Sequence, residues 1–338
     1  MMHPNDFPQM PDTFDRRVRE TLETLPEQPR KTRHAPLRRI VSIGLAAALC
    51  IGGTAFAAGI SGGFPLFFPG GTDAPITEYV TTPAPGTVVD ENEKYRMTVD
   101  SVLFDESAGA GLVSLHLENK SGDGVMPFGI LELNPQYQNL PDMAWSNLSQ
   151  CGSSEDGQYN FNVMYDEYGF CGSAFYLDTS RSTENDYYIE GAFIPSGDYT
   201  PDTPLRFVAQ EVGKTQTVSS GGIIGYITLE VSMSDFEQMP YYQTADGRIT
   251  LSQIGLHIVD PEMYSVVDEL DTATLRMQDG SEQVIIDREN SIDQTLYALG
   301  DSQGDVGYDT ATYVLARSFE LTDVQAIVLN GTEYPLSA

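Results

Sequence analysis

The chain has 338 residues with 41% hydrophobic and 20% charged side chains, a composition that excludes a wholly disordered or fibrous protein. Its 18 Lys and Arg stand against 49 Asp and Glu, a formal charge of −31, and so acidic a surface excludes a nucleic-acid clamp. The charge is unevenly spread: residues 1–39 hold eight basic and six acidic side chains, 40–59 hold none, and 60–338 hold ten basic and 43 acidic ones.

In the first of these stretches, Phe14, Val18, Leu22 and Leu25 recur at helical spacing, after a plausible N-cap at Asp12 and before Pro26. So short a helix builds no core of its own. It reads either as a frayed juxtamembrane helix or as a docking face that becomes ordered on a partner. The run Ile40 to Ile60, IVSIGLAAALCIGGTAFAAGI, would span about 31 Å as a helix, the thickness of a bilayer core. Arg30, Lys31, Arg33, Arg38 and Arg39 precede it, and the next basic residue is Lys94, so the N-terminus is expected in the cytoplasm and the C-terminal region outside. Ala55-Phe56-Ala57 also offers a signal-peptidase pattern, but the charged stretch before it is unusually long for a cleaved leader, which favours a retained single-pass transmembrane helix. Residues 61–87, with five prolines and no period, read as a stalk.

Beyond the stalk, short alternating runs separated by turn residues predict an all-β region. Strands are expected at Tyr95–Phe104, Leu112–Leu117, Met126–Leu133, Asn160–Tyr165, Tyr187–Phe193, Leu205–Gln210 and Ile223–Met233. Others follow at Ile249–Val259, Thr274–Met277, Gln283–Ile286, Thr312–Phe319 and Gln325–Leu329. Asp279-Gly280 and Asn330-Gly331 carry the residues of type I′ hairpin turns, and Asp246-Gly247 marks a further turn. The polar stretch around Pro240 divides the region, which gives an arm (1–39), a span (40–60), a stalk (61–87), a β-sandwich (88–233), a linker (234–247) and a second sandwich (248–338).

The parts together resemble a family of membrane-anchored proteins of Gram-positive bacteria, classed as a domain of unknown function and associated with extracytoplasmic-function sigma factors. The resemblance rests on FDRRVRETLETLP before a basic stretch, on a span ending GGTAFAAG, and on MTVDSVLFDESAGAGLVSLHLEN opening the first β-domain. ITLSQIGLHIVD, a DGS turn and the closing LTDVQAIVLNGTEYPL complete it. It implies two tandem immunoglobulin-like ectodomains after a transmembrane helix and a short cytoplasmic helix, an anti-sigma-like layout, and a sigma factor as cytoplasmic partner of the arm. The family supplies no catalytic residues, and this arm is too short for a folded sigma-binding domain.

Chemistry-bearing motifs are sparse. Cys151 and Cys171, the cysteines outside the span, are candidates for a disulfide in an oxidising compartment, or else two buried thiols. Gly300-Asp301-Ser302-Gln303-Gly304 matches a nucleophile elbow, but no helix-forming sequence follows it, and His116 and His257 sit in strand patterns. Asp301, Asp305 and Asp309 line a flexible stretch that could hold Ca²⁺ or simply be solvated. Between Tyr159 and Tyr199, aromatics interleave with carboxylates, either as ordinary sheet packing or as a sugar-stacking face. No catalytic, cofactor or metal site is therefore expected. The expected function is extracytoplasmic sensing or binding of an unknown ligand or protein, coupled to a cytoplasmic regulator. The alternative is a surface adhesion or glycan-binding module with no signalling role.

Overall fold

The computed structural model describes residues 63–68, 76–83, 88–124, 145–147, 159–164, 170–195, 199–200, 203–212, 223–231, 236, 238–260, 265–301, 309–316 and 319–338. The arm with Phe14, Val18, Leu22 and Leu25, the span 40–60, the strand expected at Met126–Leu133, and Cys151 all lie outside them. No helix among the described residues is long and apolar enough to cross a membrane.

The protein is mainly β, built of antiparallel sheets. In chain order the first strands are β1 (Val89–Glu91), β2 (Tyr95–Asp105), β3 (Ala110–Asn119), β4 (Trp145–Asn147), β5 (Tyr159–Met164), β6 (Phe170–Asp178), β7 (Asp186–Ile194), β8 (Leu205–Val212) and β9 (Ile223–Val231). They order as β1-β2-β3-β7-β6-β5-β8-β9, with β4 beside β6. The β5–β6 junction holds only two pairs, Val163↔Cys171 and Met164↔Phe170, and acts as a corner. Around it, β5, β8 and β9 fold over β2, β3, β6 and β7, and both halves contribute to one core. At the other end Thr228 N–H donates to Asp90 Oδ2 (3.2 Å), tying β9 to β1.

Alternation decides which side chains enter that core. On β3, Val113, Leu115 and Leu117 point in. On β2 the inward set changes from Tyr95, Met97 and Val99 to Val102 and Phe104, because a register shift between Val99 and Ser101 leaves Asp100 as an extra residue. Four aromatics of residues 159–199 fill this interior: Phe161, Phe175, Tyr187 and Phe193 are core residues, and Phe193 meets Phe207 edge-on across it with centroids 5.7 Å apart. These four rings serve sheet packing.

The later strands are β10 (Tyr241–Gln243), β11 (Ile249–Ser252), β12 (Gly255–Val259), β13 (Thr272–Met277), β14 (Glu282–Asp287), β15 (Ile292–Asp293), β16 (Thr295–Asp301), β17 (Thr310–Leu315), β18 (Val324–Leu329) and β19 (Thr332–Pro335), with one helical turn, α1, at Val266–Glu269. They form two five-stranded sheets, β10-β11-β12-β17-β16 and β15-β14-β13-β18-β19, that enclose a second core. Ile249–Val259, expected as one strand, is a hairpin. Ser252 Oγ accepts from Gly255 N–H (2.9 Å) and Ile254 N–H (3.3 Å), closing the turn. The sequence carries the sign of it, since the apolar set shifts from odd (Ile249, Leu251) to even positions (Ile254, Leu256, Ile258).

Asn330 (φ 46°) and Gly331 (φ 80°) both take the left-handed backbone of the expected type I′ turn. Asn330 also accepts from the N–H groups of Asp271 (2.9 Å) and Thr272 (3.0 Å) and donates to Glu269 O (2.9 Å). Asp279-Gly280 departs from expectation. Only Gly280 has positive φ, and Asp279 instead uses its carboxylate to accept from Ser281 N–H (2.8 Å) in a wider loop closed by Met277 N–H to Ser281 O (2.9 Å).

A third apolar cluster lies between these assemblies. The outward residues Leu103, Ala110, Leu112, Tyr176, Ala192 and Ile194 meet Ile254, Leu296, Val314 and Ala316. Strand β17 is buried along its whole length, with Ala311, Tyr313 and Leu315 turned to the second core and Val314 to this junction. Phe64, Leu66, Phe67, Phe68 and Ile76 belong to the same cluster, so part of the segment read as a stalk is built into the fold. Its apolar residues pack there without any periodicity, through a tight turn in which Phe68 N–H donates to Phe64 O (2.7 Å).

Candidate functional site

The outward face of β2, β3, β6 and β7 changes character along the strands. Register places Leu112 beside Ala192, Ser114 beside Glu190 and His116 beside Tyr188, running from apolar to polar. On β6, Tyr176 lies opposite Glu190. The apolar end is covered by residues 63–68 and by β16 and β17, whereas the polar end faces water.

At the polar end the His116 ring stacks on Tyr188, with centroids 4.6 Å apart and planes within 5°, and the Arg181 guanidinium lies 4.2 Å over the other ring centroid, that of Tyr188. His116 Nε2 is 3.1 Å from Asp186 Oδ1. The bulge at Asp100 brings that carboxyl to the same face. Burial raises its pKa, against the opposing pull of nearby His116 and Arg181. Asp178 is buried and organises the β6–β7 turn, accepting from Ser180 N–H (3.0 Å), Ser180 Oγ (2.6 Å) and Arg181 N–H (3.2 Å).

Where the polar end meets the covered end stands Glu190, with 1% of its surface exposed. Leu66 N–H donates to its Oε1 (3.0 Å) and Phe67 N–H to its Oε2 (3.1 Å). Just before them Gly63 N–H donates to Ser101 Oγ (3.0 Å). Burial pushes the Glu190 carboxyl up to about 8. The two backbone donors and the Arg181 charge pull the other way, and Asp178 adds to the rise. Sequence reasoning missed this residue. In DYYIEGAF it is an ordinary outward position of an amphipathic strand, and only the third layer makes it an interior one.

A second buried carboxyl lies at the tip of the β2–β3 hairpin. Asp105 Oδ1 accepts from Ser107 N–H (3.0 Å), and Oδ2 has no hydrogen-bond partner among the described residues. Burial raises its pKa, opposed by Ser252 and by the backbone of Ser107 and Ala108. The tip is pressed against the β11–β12 turn so closely that a β-carbon on Gly255 would lie 2.6 Å from Ala108 Cβ and 2.9 Å from Ala110 Cβ.

The residues singled out in the sequence are dispersed. Cys171 is a buried thiol in the first core, and burial pushes its pKa up to about 12. Asp301 ends β16 opposite Thr310 of β17, so the hairpin brings the backbones of Asp301 and Asp309 to one loop mouth, while Ser302 and Asp305 lie outside the described residues. His257 is on β12, its Nδ1 2.9 Å from Thr312 Oγ1, with its pKa lowered by burial. Among the described residues no group of three or more His, Cys, Asp or Glu side chains is gathered as for a metal ion.

No family model and no curated protein matches the sequence. Among solved structures, the conserved domain protein from Bacillus anthracis aligns over 75% of this chain and 78% of its own, with 11% identity and a TM-score of 0.37. At that distance it defines neither fold nor function.

Proposed function

We propose that this is a single-pass membrane protein, N-terminus cytoplasmic, whose β-rich extracytoplasmic region senses or binds a ligand or protein and is coupled through the arm to a cytoplasmic regulator such as a sigma factor. Its two sandwich cores are read as immunoglobulin-like domains in tandem. The observation that supports coupling over mere display is the attachment of residues 63–68. The apolar run ends at Ile60, and within a few residues the chain is hydrogen-bonded to Ser101 and Glu190 and its side chains are buried. A free stalk would decouple the outer region from the span by its own flexibility, whereas a segment seated at once in a sheet face carries displacements of that face to it.

Crosslinking of the full chain in intact cells tests the reading. It should capture a cytoplasmic regulator through residues 1–39, and L22D together with L25D should abolish the capture. Recovery of no regulator, with surface binding retained after deletion of the arm, would replace the reading with the adhesion module. A reporter fused after Ala338 should be active outside the cell.

A further inference from the structure

We propose that residues 63–68 are a strap whose seating on the sheet is controlled by the proton on Glu190: the strap is seated while that carboxyl is neutral and lifts as the carboxyl becomes charged. The inference deepens the signalling reading, because the strap adjoins the apolar run, and it supplies a form of regulation for it.

The groups around Glu190 carry the argument. From the strap, Gly63, Phe64, Pro65, Leu66, Phe67 and Phe68 bring no ionisable side chain, only two N–H donors. From β3 the cross-strand neighbour is Ser114, and His116, further along, is engaged by Asp186. From β6 come Tyr176, whose hydroxyl donates to Leu296 O, and Asp178, whose negative charge disfavours a second one beside it. Among the described residues the one nearby cation, Arg181, lies against Asp178 (3.9 Å) and over the Tyr188 ring. From β2, Ser101 is taken up by Gly63, and Asp100 is a further carboxyl. The third layer presents Leu296, Val314 and Ala316. A charged Glu190 under the strap therefore has two backbone donors and, among the described residues, no paired cation, whereas a lifted strap gives it water.

Burial beneath the strap and the neighbouring sheet raises the carboxyl from its ordinary value of 4.5 to about 8, against the pull of the two strap N–H donors. Where lifting the strap returns the carboxyl to water, linkage requires the seating constant to fall as pH rises toward about 8, by at most tenfold per pH unit, and to level off above it.

Hydrogen exchange of the full chain in lipid nanodiscs reads this directly, with intrinsic exchange rates divided out. Opening at the Leu66 and Phe67 amides should rise by up to tenfold per pH unit from about 5 to 8 and then level off, while Leu115 and Ile189 in the first core stay protected. Glu190→Gln should remove the slope. Phe67→Ala, which weakens seating without touching the proton, should shift opening by one factor at every pH and keep the slope. A flat profile in the unaltered protein would overturn the proposal, as would an unchanged slope in Glu190→Gln or a loss of protection at Leu115 and Ile189 in step with the strap. If Glu190→Gln does not fold, the unaltered protein and Phe67→Ala decide the matter. A flat slope with a regulator still captured sinks the strap alone, and an intact slope with none captured sinks only the signalling reading.

Discussion

The first core and the junction cluster share strands yet are built on opposite principles. Inside the first core β2, β3, β5, β6, β7, β8 and β9 contribute apolar side chains throughout, and its stability rests on packing and area removed from water. On the reverse faces of β2, β3, β6 and β7, apolar residues run directly into Ser101, Ser114 and the carboxyl of Glu190, covered by a strap and a neighbouring sheet. One sheet thus has a face that holds the fold and a face whose cover depends on the state of a proton. The difference shows that a strand's outward face is defined by what later packs on it.

The comparison breaks most severely if the dry core is opened. Phe193→Ala removes a fully buried ring that stacks near Phe104 and Phe207, and should cost about 3–5 kcal/mol in chemical denaturation. The next effect belongs to the other face. Between pH 4.5 and about 8 the folded state keeps the Glu190 proton that the unfolded chain has released, so stability falls as pH rises through that window and is level above it. The limiting slope is about 1.4 kcal/mol per pH unit. Asp100 and Asp105, raised by the same burial, act with the same sign. Thermal melts of the protein and of Glu190→Gln across that range measure the share due to Glu190.

A smaller effect sharpens the boundary between the two principles. Gly255→Ala sets a methyl group against Ala108 and Ala110, which have no flexible end to move aside. Overpacking of this kind should cost about 1–3 kcal/mol, and hydrogen exchange should show the loss at the β2–β3 tip and the β11–β12 turn before the first core. Smallest is the terminal hairpin, distant from both faces. Asn330→Ala should cost about 1–2 kcal/mol, from strain at positive φ and from the lost bonds to Asp271, Thr272 and Glu269. Asn330→Gly keeps the backbone freedom, and its equilibrium unfolding isolates the side-chain share.

How far the fold could be read in advance follows the same division. Strands β2, β3, β7, β8 and β9 were legible because alternation is imposed by one buried and one less buried face, and Asn330-Gly331 because two positive φ values admit few residues. Strand β6 was not, since FCGSAFYLD carries small residues where it meets its neighbours; at Gly172 a β-carbon would lie 2.8 Å from the Tyr297 ring. Strand β16 was hidden likewise, because its role is to cover another sheet and its own alternation is weak. Of the candidate site, His116 was placed correctly on a strand face. Glu190 and the strap were illegible for one reason: FPLFF has no period, and a single outward Glu carries no mark of the layer that buries it.

The position of β17 has a consequence for how the chain comes to be made. Leu296 and Val314, which cover the outward faces of β3 and β7, are encoded far behind those strands, whereas Phe64, Leu66 and Phe67 precede them all. A chain synthesised from its N-terminus completes the first core while Leu103, Leu112 and Ile194 still await their neighbouring sheet. Throughout that interval the strap, which precedes all of these strands, has already been made, whereas β16 and β17 have not.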